Sequence, residues 1–320
     1  MNVFFFQFHF QKIQKILIFT KVFIDLQGIM ISDFKSEIDT GSIQFTSIQY
    51  ERYLLYRRDP SYDGISSFTP LRVIPFGPLP SPLPQNARVS LEYGKNRDGY
   101  WTNEKFLQQL SIAMQIHDYL RPEFQAVFLL DHSSGHRKMP ENGLVASHMN
   151  KGPGGAQPFM RNGIGQRGAE AVCRERGLHQ EGMKLPQMIA ILSQQPDFKS
   201  QKTIVEELAE SCGHAVLFLP KYHCELNFIE MVWAAAKRKT RELCDYTFNG
   251  LKKNMPLALD GITVDQCRAY ARKSRDYIAA YLKGTHSYDV DKILKEYKSH
   301  RRVYLPVNLP TSSSARSMTQ

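Results

Sequence analysis

Along the chain, two short apolar runs stand apart from the mixed sequence around them. Residues 126–130 read AVFLL and residues 215–219 read AVLFL. Five apolar residues without alternation predict a strand buried on both faces. Elsewhere the spacing turns helical. Phe106, Leu107, Leu110, Met114 and Leu120 recur at helical intervals after Thr102 and Asn103, either of which can cap a helix. Ile204, Val205 and Leu208 share one face of a helix predicted over 200–212, which Gly213 is placed to end. Further helices are predicted over 185–192, 226–243, 264–282 and 289–297, and further strands over 29–32 and 87–92. Strands and helices alternate from 87 to 245. That pattern predicts an α/β domain with a mixed sheet and helices on its faces.

Between these elements the composition shifts. Seven prolines between 60 and 86 (Pro60, Pro70, Pro75, Pro78, Pro80, Pro82 and Pro84) forbid a helix interior or a central strand there. Residues 139–182 are glycine-rich and read as loop. The tail 310–320 is polar and reads as disordered. The N-terminal segment is apolar but broken by Lys12, Lys15, Lys21 and Asp25, so no window of membrane-spanning length survives. A net charge of +10 suits an anionic partner such as nucleic acid. The five cysteines (Cys173, Cys212, Cys224, Cys244 and Cys267) form no CxxC pair, which argues against a zinc ribbon or a disulfide framework.

Both apolar runs lead into acids. Asp131 ends the first and is followed by His132, Ser133, Ser134, Gly135 and His136. Glu230 lies on the helix after the second. Ligands gather at the carboxyl ends of strands in open α/β sheets, and paired carboxylates can hold a divalent cation. Plainer readings stand beside this one: Asp131 as the cap of its turn, Glu230 as a solvated helix residue. Asn227 is a candidate supporting amide, and His136 and His223 are candidate phosphate or water contacts. Lys237, Arg238, Lys239 and Arg241, and then Arg268, Arg272, Lys273 and Arg275, form basic stretches that fit either a solvated face or a phosphate backbone. KGPGGAQP (151–158) lacks the GK[ST] of a phosphate-binding P-loop.

Several strings together resemble the DDE-type transposases, the DDE superfamily endonucleases of ribonuclease H-like fold, in particular their mariner-like branch. They are GIMISDF (28–34), GKNRDGYWT (94–102), AVFLLDHSSGH (126–136), MNKGPGGAQPFMRNG (149–163), QPDFKSQK (195–202), LFLPKYHCELNFIEMVWAAAK (217–237) and YKSHRRV (297–303). The resemblance implies a ribonuclease H-like (retroviral-integrase-like) domain over 28–305, with the proline-rich connection at 60–86 and an insertion at 139–200. It implies Asp131 as the second catalytic Asp and Glu230 as the third acid, both ligands of Mg²⁺ or Mn²⁺. It further implies DNA as partner, with Lys237, Arg238, Arg241, Arg272 and Lys273 as phosphate contacts, a nuclear location and self-association.

Three departures bear on activity. His132 stands where the family has Asn, and Phe228 stands where it has Pro. No string like the family's H-D-E, which carries its first catalytic Asp, precedes residue 28. Asp25 lacks that context, and Asp33 falls in a segment where the family keeps no catalytic acid. The expectation is an N-terminally truncated copy whose residues 1–27 are unrelated to the family. Its sheet would lack the first strand, although 16–23 (ILIFTKVF) has the composition to fill that slot. Without an acid to bridge two metals, cleavage would be lost. The alternative is a non-catalytic, basic nucleic-acid-binding remnant.

Overall fold

Residues 16–26 are rich in Ile, Phe and Val, the types that fit a pleated surface, and they form the longest strand. The computed structural model describes residues 16–26, 29–37, 42–58, 73–74, 77–154, 159–285 and 289–290. Residues 1–15, most of the first half of the proline-rich stretch, the expected helix beyond 290 and the polar tail lie outside them. In chain order the elements are β1 (Ile16–Leu26), β2 (Ile29–Lys35), α1 (Ser47–Arg58), β3 (Val73–Ile74), β4 (Gly77–Pro78), β5 (Val89–Glu92), α2 (Asn103–Leu120), β6 (Gln125–Leu130), α3 (Ile164–Glu175), α4 (Leu185–Leu192), α5 (Pro196–Lys199), α6 (Ile204–Ser211), β7 (Ala215–Phe218), α7 (Ile229–Glu242), α8 (Phe248–Asp260) and α9 (Val264–Leu282).

One five-stranded sheet organises the molecule, in the order β5-β2-β1-β6-β7. β2 runs antiparallel to β1 and β5, while β6 runs parallel to β1 and β7. The sheet is therefore mixed, as the alternating pattern predicts. The expectation of a missing strand ahead of residue 28 is corrected. β1 occupies the centre of the sheet, pairing with β2 from Thr20–Lys35 to Leu26–Ile29 and with β6 from Ile16–Gln125 to Thr20–Leu129. The physical reason is direct: a central strand needs two neighbours to satisfy its backbone, and β2 and β6 would otherwise present bare edges.

Strand alternation assigns the faces. Phe34, Ala126, Phe128 and Leu130 pack with Phe106, Leu107, Leu110 and Met114 of α2 and with Val205 and Leu208 of α6. Leu120 is only partly buried. Truncating one of the fully buried leucines there would cost about 2–5 kcal/mol. On the opposite face Ile29 joins Ile229, Val232, Ala236, Met255, Leu259, Cys267 and Ala271 of α7, α8 and α9. α1 and α8 were not foreseen, nor were α3 and α5. α1 places Tyr53 against Phe45 and Tyr119. α8 contains Gly250 and Pro256 and holds its place through buried Met255, Ala258 and Leu259. At Gly250 an added Cβ would come within 1.9 Å of the Asp245 carboxylate, so a larger residue there would have to displace that side chain.

Residues 144–198 build a core of their own from Leu144, Met149, Met160, Ile164, Val172, Cys173, Met188, Leu192 and Phe198. The loop expected over 139–182 therefore contains a helix, α3. The chain is admitted to it by Gly168 (φ 78°), where a Cβ would lie 2.4 Å from the Gly152 backbone. The segment begins and ends side by side, since the Ile204 N–H donates to the Lys138 carbonyl at 3.0 Å.

Candidate active site at the carboxyl edge of the sheet

β6 and β7 stop together: the Leu219 N–H donates to the Leu130 carbonyl at 2.9 Å. Asp131 follows at once. Continuing the alternation of β6 puts it on the face covered by α7, opposite Phe128 and Leu130. Its side chain is 64% exposed. Oδ1 accepts the Ser133 N–H at 3.2 Å and lies 2.6 Å from His136 Nδ1. The His136 ring itself lies tilted against Phe106, 4.5 Å between centroids. Burial pushes the Asp131 carboxyl up. The hydrogen bond and charge of His136, helped by Ser133, outweigh it and hold the group well below the usual carboxylate range. Asp131 does act as a turn residue, but with one oxygen only.

Glu230 stands in the first turn of α7 and is exposed. Its carboxylate makes no hydrogen bond among the described residues. Burial pushes its pKa up, Lys237 pulls it down, and the charge of Asp131 adds to the rise. The two acids therefore sit within electrostatic range of each other at one sheet edge. α7 is aimed there by what precedes it. Phe228, in place of the expected proline, is buried, and Asn227 Oδ1 accepts the Ile229 N–H at 3.2 Å. Asn227 thus caps the helix. His223 lies 2.8 Å from Glu225 Oε1, which also accepts from the Tyr281 hydroxyl at 2.7 Å. That pair ties the β7–α7 connection to α9, and so gives His223 a structural partner.

Three cations, Arg137, Lys221 and Lys237, act electrostatically on the residues of the two acid turns. Arg137 Nη1 lies 3.0 Å from His132 Nδ1. Burial and the charges of Arg137 and Lys221 lower the pKa of His132, so both cations lie near the Asp131 turn. Lys237 stands over the Trp233 ring at 5.7 Å. Arg238, Arg241, Arg272 and Lys273 are exposed and form no ion pair among the described residues. Arg268 and Arg275 differ, being held by Asp265 and Glu37.

Asp33, on β2, stands two strands away from Asp131. The β1–β6 register, carried two residues past Thr20–Leu129, sets Val22 level with Asp131, and Val22 is paired on its other side with Asp33. Asp33, Val22 and Asp131 thus form one row across three strands. Asp33 is 1% exposed and is bound by Arg88 at 2.9 Å, with Lys35 at 3.9 Å and the Ser42 hydroxyl at 3.3 Å. Arg88 also reaches Asp260 at 2.7 Å.

Sequence reasoning missed a second cluster, at the opposite edge. His117 and Asp118, at the end of α2, meet His214, just before β7, with donor atoms within 4.8 Å of one another. The three residue types suit a metal. However, the Ala126 N–H donates to His214 Nδ1 at 3.3 Å. His214 Nε2 lies 3.0 Å from Asp118 Oδ1 but makes no hydrogen bond among the described residues, so the three groups form an acid between two histidines.

The chain matches no family model, and no curated protein or solved structure is recognisably similar to it. Among the described residues, no helix is long and apolar enough to cross a membrane.

Proposed function

We propose that this chain is a DDE-type, ribonuclease H-like domain whose Asp131 and Glu230 hold Mg²⁺ or Mn²⁺ against a DNA phosphodiester, with phosphates bound by Lys237, Arg238, Arg241, Arg272 and Lys273. One observation carries the reading: β6 and β7 end together at one edge of a mixed, helix-flanked sheet, with Asp131 directly after β6 and Glu230 in the first turn of the helix that follows β7. The motif strings around both acids support the same assignment. The donor set fits a hard divalent ion, because carboxylate oxygens are what such ions take. When bound, the ion would activate the attacking water and stabilise the leaving oxygen.

The chain's own residues do the rest. His136 and the Ser133 N–H engage Oδ1 of Asp131 and hold that carboxylate in its turn. Arg137, Lys221 and Lys237 bring a phosphate to the acids. With two carboxylates the ion keeps most of its waters, and affinity is on the order of millimolar. Cleavage is correspondingly weak, because Val22 stands where a bridging acid would. That same observation favours a second reading, a nucleic-acid-binding protein without catalysis.

Mn²⁺ titration followed by electron paramagnetic resonance tests the site. Asp131→Asn and Glu230→Gln should each abolish binding, and retention by both variants rules the site out. DNA affinity that falls steeply with salt yet ignores Asp131→Asn, with no Mn²⁺-dependent nicking in the unaltered chain, selects the second reading.

A further inference from the structure

The connection from β7 to α7 is anchored almost throughout. Leu219 is tied to Leu130, His223 and Glu225 to Tyr281, Asn227 to Ile229, and Phe228 is buried. Lys221 and Tyr222 are left at the tip. Tyr222 is 98% exposed and has φ 67°. A side chain in this left-handed region costs about 1–3 kcal/mol unless something compensates. Glycine would adopt it without strain, and glycine does so at nine other described positions. The ring also buries no surface in the fold. A large aromatic displayed at a backbone cost marks a candidate contact with something outside the chain, and its surroundings decide whether it is one.

Its surroundings say what. The anchored segment carries Glu230 just beyond it, and the charge of Lys221 reaches His132, next to Asp131. An aromatic face beside a cation, at the mouth of a paired-acid site, is the combination that holds a base and its phosphate. We propose that Tyr222 is a stacking platform for an unpaired nucleobase, with Lys221 on the adjoining phosphate, next to the bond presented to Asp131 and Glu230. The inference rests on the nucleic-acid reading above and adds the part of the substrate that is recognised: a base out of its stack at a single-stranded or frayed end.

Tyr246 supplies an internal control. It is 96% exposed with φ 59°, but it lies past the far end of α7, and its N–H is held by Cys244 Sγ at 3.4 Å. The test uses the full chain in EDTA and a DNA hairpin with 2-aminopurine in a single-stranded overhang. The unaltered chain should quench the probe. Tyr222→Ala should lose the quench and bind about tenfold more weakly, while Tyr222→Trp and Tyr246→Ala keep both. Tyr222→Gly, which relieves the backbone, should melt no lower than the unaltered chain and yet bind as weakly as the alanine variant. Binding and quenching unchanged in Tyr222→Ala overturn the stacking role and leave the nucleic-acid reading standing. So does an equal loss in Tyr246→Ala. An unaltered chain that binds neither stem nor overhang overturns both.

Discussion

Asp33 and Asp131 share a row and a face of one sheet, about 10 Å apart by strand spacing, and have opposite fates. Asp33 is enclosed, and Arg88, Lys35 and Ser42 consume its charge. Asp131 is open, its Oδ1 bound by one histidine and one backbone N–H, and its charge helps to raise the pKa of Glu230. Being an acid on a central strand therefore does not make a site. The difference is whether the surrounding side chains have already spent the charge. Between the two lies Val22, which does neither.

The largest effect expected from this contrast is on stability. Arg88→Ala leaves Asp33 buried without its main partner and should destabilise the fold by about 3–5 kcal/mol in a urea titration. Asp131→Asn, at an exposed position, should stay within about 1 kcal/mol of the unaltered chain. A silent Arg88→Ala would erase the distinction between the two aspartates. Next in size is a gain. Val22→Asp sets a carboxylate beside Asp131 and should tighten Mn²⁺ binding at least about tenfold, since ligand number governs affinity for hard cations. Adding Asp131→Asn should cancel that gain, and no change would mean that β1 and β6 do not keep their register at this level.

The smallest effect belongs to the other end of β6. Burial holds His117 below its ordinary pKa against the pull of Asp118, and His214 and Arg121 act in the same downward sense. On acidification the unfolded chain takes up the proton near pH 6.5 and the folded chain resists it, so stability falls from there downward. Asp118, also held below its ordinary value by both histidines despite burial, contributes stability that disappears only at lower pH. Denaturant midpoints at pH 7.5 and 5.5 should differ, and His117→Gln should narrow the gap.

What the sequence revealed follows the reach of its signals. The apolar runs that became β6 and β7 are local, and so is the placement of Asp131 and Glu230 at their ends. β1 was legible in part: 16–23 has strand composition, but Lys21 and Asp25 interrupt the apolar run, and its central place depends on pairing with β2 and β6. α8 was hidden because Gly250 and Pro256 argue against a helix, and the buried contacts of Met255 and Leu259 override them. The His117–Asp118–His214 cluster had no local signal at all. It exists only because the β6–β7 register carries His214 alongside Ala126. Tyr222 was invisible for a related reason: nothing in KYHCE announces a left-handed tyrosine.

The hydrogen bond from Ile204 to Lys138 closes the long excursion between β6 and α6 at its neck. A segment with its own apolar centre and adjoining ends makes little demand on the scaffold that hosts it, because the path from one sheet strand to the next is already bridged without it. Evolution can lengthen, exchange or discard such a graft while the acids at the sheet edge keep their places.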